Sequence, residues 1–149
     1  MKYSLLAFTV FIASSIIAQV TIVDVDGTVI PNGTTLEVVG NPSDLELEEN
    51  VWLVNEGSSS IDLKCRRVEM DVESGTTNNT CWVVCPATAF NAGQRADAIS
   101  SFQGTHMYET VGVLDTAKSF ALHYTPENID GCSWFRIMWF TNDDSDNYL

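Results

Sequence analysis

The residues of this chain that could do chemistry are four cysteines, two histidines and a few clustered carboxylates. Cys81 and Cys85 frame Trp82-Val83-Val84, a C-x-x-x-C spacing short enough to close a small ring. It is not the C-x-x-C of a thioredoxin-like redox site, and no strand–helix unit surrounds it. Four cysteines allow three connectivities. The spacing favours Cys81–Cys85, which leaves Cys65–Cys132 as the second pair. A tetrathiolate zinc centre would use the same sulfurs, but Cys65 and Cys132 lack the paired ligand spacing of such centres. No metal or cofactor is expected.

His106 and His123 are far apart in sequence and have no matching carboxylate–serine arrangement. His123 alternates out of phase with Phe120, Leu122 and Tyr124, so it faces solvent or the opposite layer, and its ordinary reading is structural. There is no G-x-S-x-G elbow, H-E-x-x-H pair or P-loop. The expectation is therefore a non-catalytic protein, the competing reading being a small secreted thiol-redox protein using Cys81 and Cys85. Asp24-Val25-Asp26-Gly27 and Asp143-Asp144-Ser145-Asp146-Asn147 could offer oxygens to calcium. The first lacks the distal glutamate of an EF-hand loop and the second its glycine, which leaves Asp/Asn turns.

Of the four tryptophans, Trp52, Trp134 and Trp139 lie inside apolar segments, where core packing accounts for them. Trp82, between two linked cysteines, is the indole expected at the surface, and the one on which a carbohydrate-binding accessory role would rest. Asn32-Gly33-Thr34 and Asn78-Asn79-Thr80 fit the N-glycosylation pattern.

These residues need elements to position them. Met1-Lys2-Tyr3-Ser4 leads into an apolar run from Leu5 to Ala18, broken only by Thr9, Ser14 and Ser15, which reads as a secretory signal peptide over 1–18. The run is too short for a stable membrane span. The remainder, 19–149, has the size of a single domain. Its 20 acidic and 7 basic residues give a net charge of −13 for the whole chain, a field that opposes nucleic acid and anionic membrane.

Along the chain the pattern is mostly period two. Val20–Val25, Thr35–Val39, Leu45–Val54 and Ile61–Met70 alternate. Arg66-Arg67 breaks the parity of the last of these, so Val68 and Met70 rejoin the core only through a bulge. Residues 73–79 read as an exposed loop and 81–84 as strand. The alanine-rich 86–110 reads as a short helix or an excursion over one end. Ser119–Tyr124 and Cys132–Phe140 are further strands, the latter apolar enough to be central and buried on both sides. After Phe140 comes a polar turn and then Tyr148-Leu149, where a sandwich would normally lay one more strand. A missing final strand, with further domains beyond Leu149, is expected. The fold class is thus all-β, an antiparallel immunoglobulin-like sandwich of about seven strands.

The spaced runs Val54-Asn55-Glu56-Gly57, Ile61-Asp62-Leu63-Lys64-Cys65-Arg66-Arg67, Cys81-Trp82-Val83-Val84-Cys85-Pro86, Ala121-Leu122-His123-Tyr124-Thr125-Pro126 and Gly131-Cys132-Ser133-Trp134 carry a resemblance. The chain resembles an immunoglobulin-like domain of secreted Bacteroidetes proteins, often found ahead of a type IX secretion sorting domain. That resemblance implies a secreted or cell-surface, non-catalytic module with an unassigned protein or glycan partner.

Overall fold

The computed structural model describes residues 20–99, 101–102 and 105–141, with the backbone alone at 101–102 and 105–106. The expected signal segment, the acidic stretch 142–149 and the His106 side chain lie outside the described residues. Within them the chain is all-β. It forms β1 (Val20–Val23), β2 (Leu47–Glu49), β3 (Trp52–Asn55), β4 (Ile61–Asp71), β5 (Thr77–Cys81), β6 (Phe90–Asn91) and β7 (Asp97–Ile99). Then follow β8 (Ser101–Phe102), β9 (Thr105–His106), β10 (Glu109–Val111), β11 (Thr116–Ala117), β12 (Ala121–Thr125) and β13 (Trp134–Thr141).

Among the described residues all the pairings are antiparallel and, the separate β8–β9 hairpin aside, they resolve into two layers. β3 pairs with β1 and β11, while β2 pairs with β12 and β12 with β5, which in turn pairs with β6. Since β2 runs into β3 and β11 into β12, these four are two long ribbons side by side, each interrupted once. The second layer has β4 at its centre, with β13 along one edge and β7 and β10 sharing the other. Joining the two interrupted ribbons and setting aside the four short strands β6–β9 leaves the seven expected. The higher element count comes from those two interruptions and from short ladders in 86–110, where strand replaces the helix considered from the alanines.

The core follows from alternation. Val20, Leu53 and Ala117 of the first layer meet Leu63, Cys65, Val111 and Trp139 of the second, with Val51, Trp82 and Phe120 entering from the connections. Phe120 stands edge-on to Trp139 with ring centroids 5.1 Å apart, a favoured aromatic geometry across the layers.

Four sequence expectations need correction. β4 does not change parity at Arg66-Arg67: Leu63, Cys65 and Arg67 all point inward, and the bulge falls later, where Trp134 faces Asp71 and Phe135 faces Glu69, leaving Met70 unpaired and exposed. Arg67 can stay inside because Glu69, two residues on and on the same face, is also buried and lies 3.6 Å away. Burial pulls the Arg67 guanidinium below its ordinary value, and Glu69 offsets part of that. The 73–79 loop is half strand: Thr77–Cys81 forms β5, and Asn78 is buried, its Nδ2 donating to Glu69 Oε1 at 3.0 Å. Asn78 is thereby removed from the glycosylation pattern. Thr35–Val39 pairs with nothing among the described residues and leaves Val39 exposed, its ends held by turns at 31–34 and 41–44. β13 is not central but pairs with β4 alone among the described residues. Only its Trp139-Phe140 end is buried on both faces.

One buried amide ties β3 to the β10–β11 turn. Asn55 Nδ2 donates to the carbonyls of Ser59, Val111 and Gly112, while its Oδ1 accepts from Gly57 N at 2.9 Å. Asn55→Ala would strand these groups beneath the turn. It should lower the unfolding free energy by about 2–4 kcal/mol, read as a shifted denaturant midpoint at unchanged m-value.

Candidate functional site

The chemistry-bearing residues come together at one corner of the first layer. β12 lies between β2 and β5, with His123 opposite Glu48 on one side and Asn79 on the other, and Ala121 opposite Cys81. Period two places Leu122 and Tyr124 toward the core and His123 on the other face, as the phase of the sequence requires. That face collects Glu46 and Glu48 from β2 and its approach, and Cys81 from β5. Diagonal neighbours across adjacent strands are within side-chain reach. His123 Nδ1 lies 2.9 Å from Glu46 Oε1, and His123 Nε2 lies 3.4 Å from Cys81 Sγ. One ring nitrogen thus faces a carboxylate oxygen and the other a sulfur, so the ring bridges β2 and β5.

Cys81 is joined to Cys85. Cys81 is buried and Cys85 exposed, and both sulfurs lie within 4.8 Å of a His123 ring nitrogen, with Cys81 in bonding contact. Between them the chain makes an abrupt reversal. Trp82 turns fully inward and its Nε1 donates to Leu63 O at 3.2 Å, across the two layers. Val83 then adopts φ 65°, a left-handed conformation that a β-branched residue rarely takes and that costs about 1–3 kcal/mol. Val83 N donates to Ser119 Oγ at 3.1 Å, and Ser119 in turn donates to Glu109.

Three expectations change here. Trp82 is not a surface platform; it is the most deeply placed indole, packed in the core with its Nε1 paired to the Leu63 carbonyl. Trp134 is the indole at the surface, 52% exposed. Cys65 and Cys132 are both free, Cys65 buried and Cys132 exposed. Cys65 sits opposite Trp139 on the β4–β13 ladder, whereas Cys132 precedes Trp134, which faces Asp71. The ladder therefore separates the two sulfurs by about six residues of extended strand, ~20 Å, far beyond disulfide reach. Burial pushes the Cys65 thiol well above its ordinary value, which makes it inert.

Asp24, the centre of one calcium candidate, has Oδ1 committed to Asp26 N at 2.9 Å and Thr28 N at 2.8 Å, as in an Asx turn. The Thr28 hydrogen bond is the main reason its carboxyl is held below the usual range. The other candidate, at 143–147, lies outside the described residues. Glu46, Glu48 and His123 place one ligand atom each within 4.8 Å of one another. His123 in this grouping already bonds Glu46, and Asn50 Nδ2 donates to Glu48.

The contact between His123 and Cys81 was not legible as a site, because forty-two residues separate them. The only signal was the phase of His123, which placed it away from the core without saying what it met.

Two measurements check this corner. Thiol titration of the folded chain should give one reactive thiol, Cys132, with a second, Cys65, appearing only on denaturation. Val83→Asn, which suits a left-handed backbone, should raise the unfolding free energy by roughly 0.5–1 kcal/mol in denaturant melts.

No family model matches the chain, and no curated protein sequence matches it. Among solved structures it is similar to the N-terminal domain of PorA, with a TM-score of 0.62 at 14% sequence identity, over 88% of this chain and 90% of that one. At that identity the likeness is one of fold.

Proposed function

We propose that the chain is an exported, non-catalytic, immunoglobulin-like module acting on the cell surface or in the medium as an accessory or interaction domain. The observation that carries this reading is how the sandwich uses its reactive residues. Trp82, Arg67, Glu69 and Asn78 all point inward and bond one another or the backbone, and Trp139 packs inward against Phe120. Apart from the corner formed by Glu46, His123 and Cys85, what remains outside is largely loop carried on paired strands, the arrangement that binding modules exploit. A disulfide between Cys81 and Cys85 suits an oxidising compartment outside the cytoplasm. The likeness in fold to a domain that stands at the N-terminus of its own protein supports an accessory place in a larger assembly. The resemblance to secreted Bacteroidetes domains that precede a type IX sorting domain belongs to the same proposal. With Trp82 inside, the carbohydrate platform built on it has no basis.

Expression of the full chain in a Bacteroidetes host should deliver a processed protein, its N-terminus near Gln19, to the surface or the medium. Unprocessed chain retained in the cytoplasm would overturn the exported reading.

A further inference from the structure

We propose that the Cys81–Cys85 disulfide is a thiol-exchange site, entered at Cys85, with Cys81 as the leaving and resolving sulfur and His123, positioned by Glu46, as its charge partner. At this one corner the inference replaces the non-catalytic reading with thiol exchange, and it needs only the geometry described above.

A buried structural disulfide shields both sulfurs. Here Cys85 is exposed while Cys81 is 4% exposed and meets an imidazole. An incoming thiolate can reach Cys85 and not Cys81. The new S–S bond forms between the entering sulfur and Cys85 as the old one breaks, and the electron pair of the old bond leaves with Cys81 as a thiolate. That charge develops 3.4 Å from His123 Nε2, on a ring whose Nδ1 side is held by Glu46 at 2.9 Å. An Nε2–H on that ring donates to the sulfur and can pass it the proton. Exchange is faster when the leaving thiol is stabilised as its anion. A second external thiolate attacking the entering sulfur frees Cys85, so two thiols are oxidised to a disulfide and the protein gains two thiols. Alternatively Cys81 attacks Cys85 and restores the ring.

A further feature fits exchange. Trp82 is anchored to Leu63 O by its own hydrogen bond, so opening the disulfide does not release the indole from the core. The site can therefore cycle without unfolding the sandwich. The chemistry required of a partner is an accessible thiol, either a small molecule or a cysteine on another protein.

The test uses the mature chain as a Cys132→Ser variant, so that no other surface thiol reacts. The rate of ring opening is followed with glutathione, and separately with a reduced cysteine-containing peptide, by mass spectrometry of the alkylated products. Mixed disulfide should appear on Cys85 and not on Cys81. His123→Gln should slow opening about tenfold, with far-UV circular dichroism and melting temperature close to the parent. Glu46→Gln, at a half-exposed carboxylate, should slow it in the same direction by less, and it decides the matter if His123→Gln fails to fold. Faster reaction with glutathione identifies a small-thiol site, and faster reaction with the peptide identifies a protein partner. Opening at the parent rate in the folded His123 variant, or in Glu46→Gln when that variant decides, overturns the proposal, as does mixed disulfide on Cys81. None of these outcomes bears on whether the chain is exported.

Discussion

The burial of Trp82 governs the rest of this structure. Its ring fills the centre of the core, and its Nε1 has one place to go, the Leu63 carbonyl on the facing layer. An indole N–H left unpaired in that position would carry a desolvation cost, so inward placement and hydrogen bond come as a unit. Because β5 ends at Cys81 and the next side chain must dive inward, the chain can return to the surface only through a reversal at Val83. That reversal is what exposes Cys85 while leaving Cys81 covered. The asymmetry of the disulfide, and the bonding contact of His123 with the Cys81 sulfur, follow from where a single ring has to lie.

At the other end of the sandwich the interior is ionic. Glu69 accepts from Asn78 across the layers and from Gly93 N at 2.7 Å, and Arg67 Nη2 donates to Arg95 O at 2.6 Å. The segment 92–96 is thus fastened to the sheet by two charged side chains that themselves sit under it. Buried ion pairs contribute little net stability against an apolar equivalent, but removing one partner strands the other. Their effect here is positional: they fix where an otherwise weakly apolar excursion comes down on β4, and the Arg66–Asp97 pair at the surface adds to the same seam.

Much of the fold was legible because its governing signal, period-two alternation, is local. β1, β3, β4, β12 and β13 lie where that pattern puts them, and the small Cys81–Cys85 ring follows from spacing alone. What could not be read were cases in which a polar residue has a partner distant in sequence. Arg67 looks like a break in parity until Glu69, the Arg95 carbonyl and the Phe135 ring are seen beside it. Asn78 reads as loop because nothing nearby in the chain announces that its amide will meet Glu69. Trp82 reads as exposed because its only acceptor lies on another strand. The candidate site fails to show for the same reason: Glu46, Cys81 and His123 become neighbours only once β2, β12 and β5 are laid side by side.

The spacing of the cysteines also bears on how the chain reaches this state. While unfolded it carries four sulfurs that could pair wrongly, and two of them, Cys65 and Cys132, end as thiols. Cys81 and Cys85 are four residues apart, whereas every other combination spans a longer stretch of chain. A short separation loses less chain entropy on closure, so the local ring closes ahead of its rivals. Once the two layers meet, Cys65 is sealed beneath them and its protonated sulfur no longer competes. Proximity along the chain and enclosure by the core together act as a proofreading device, selecting one oxidised form out of several without help from a second bridge.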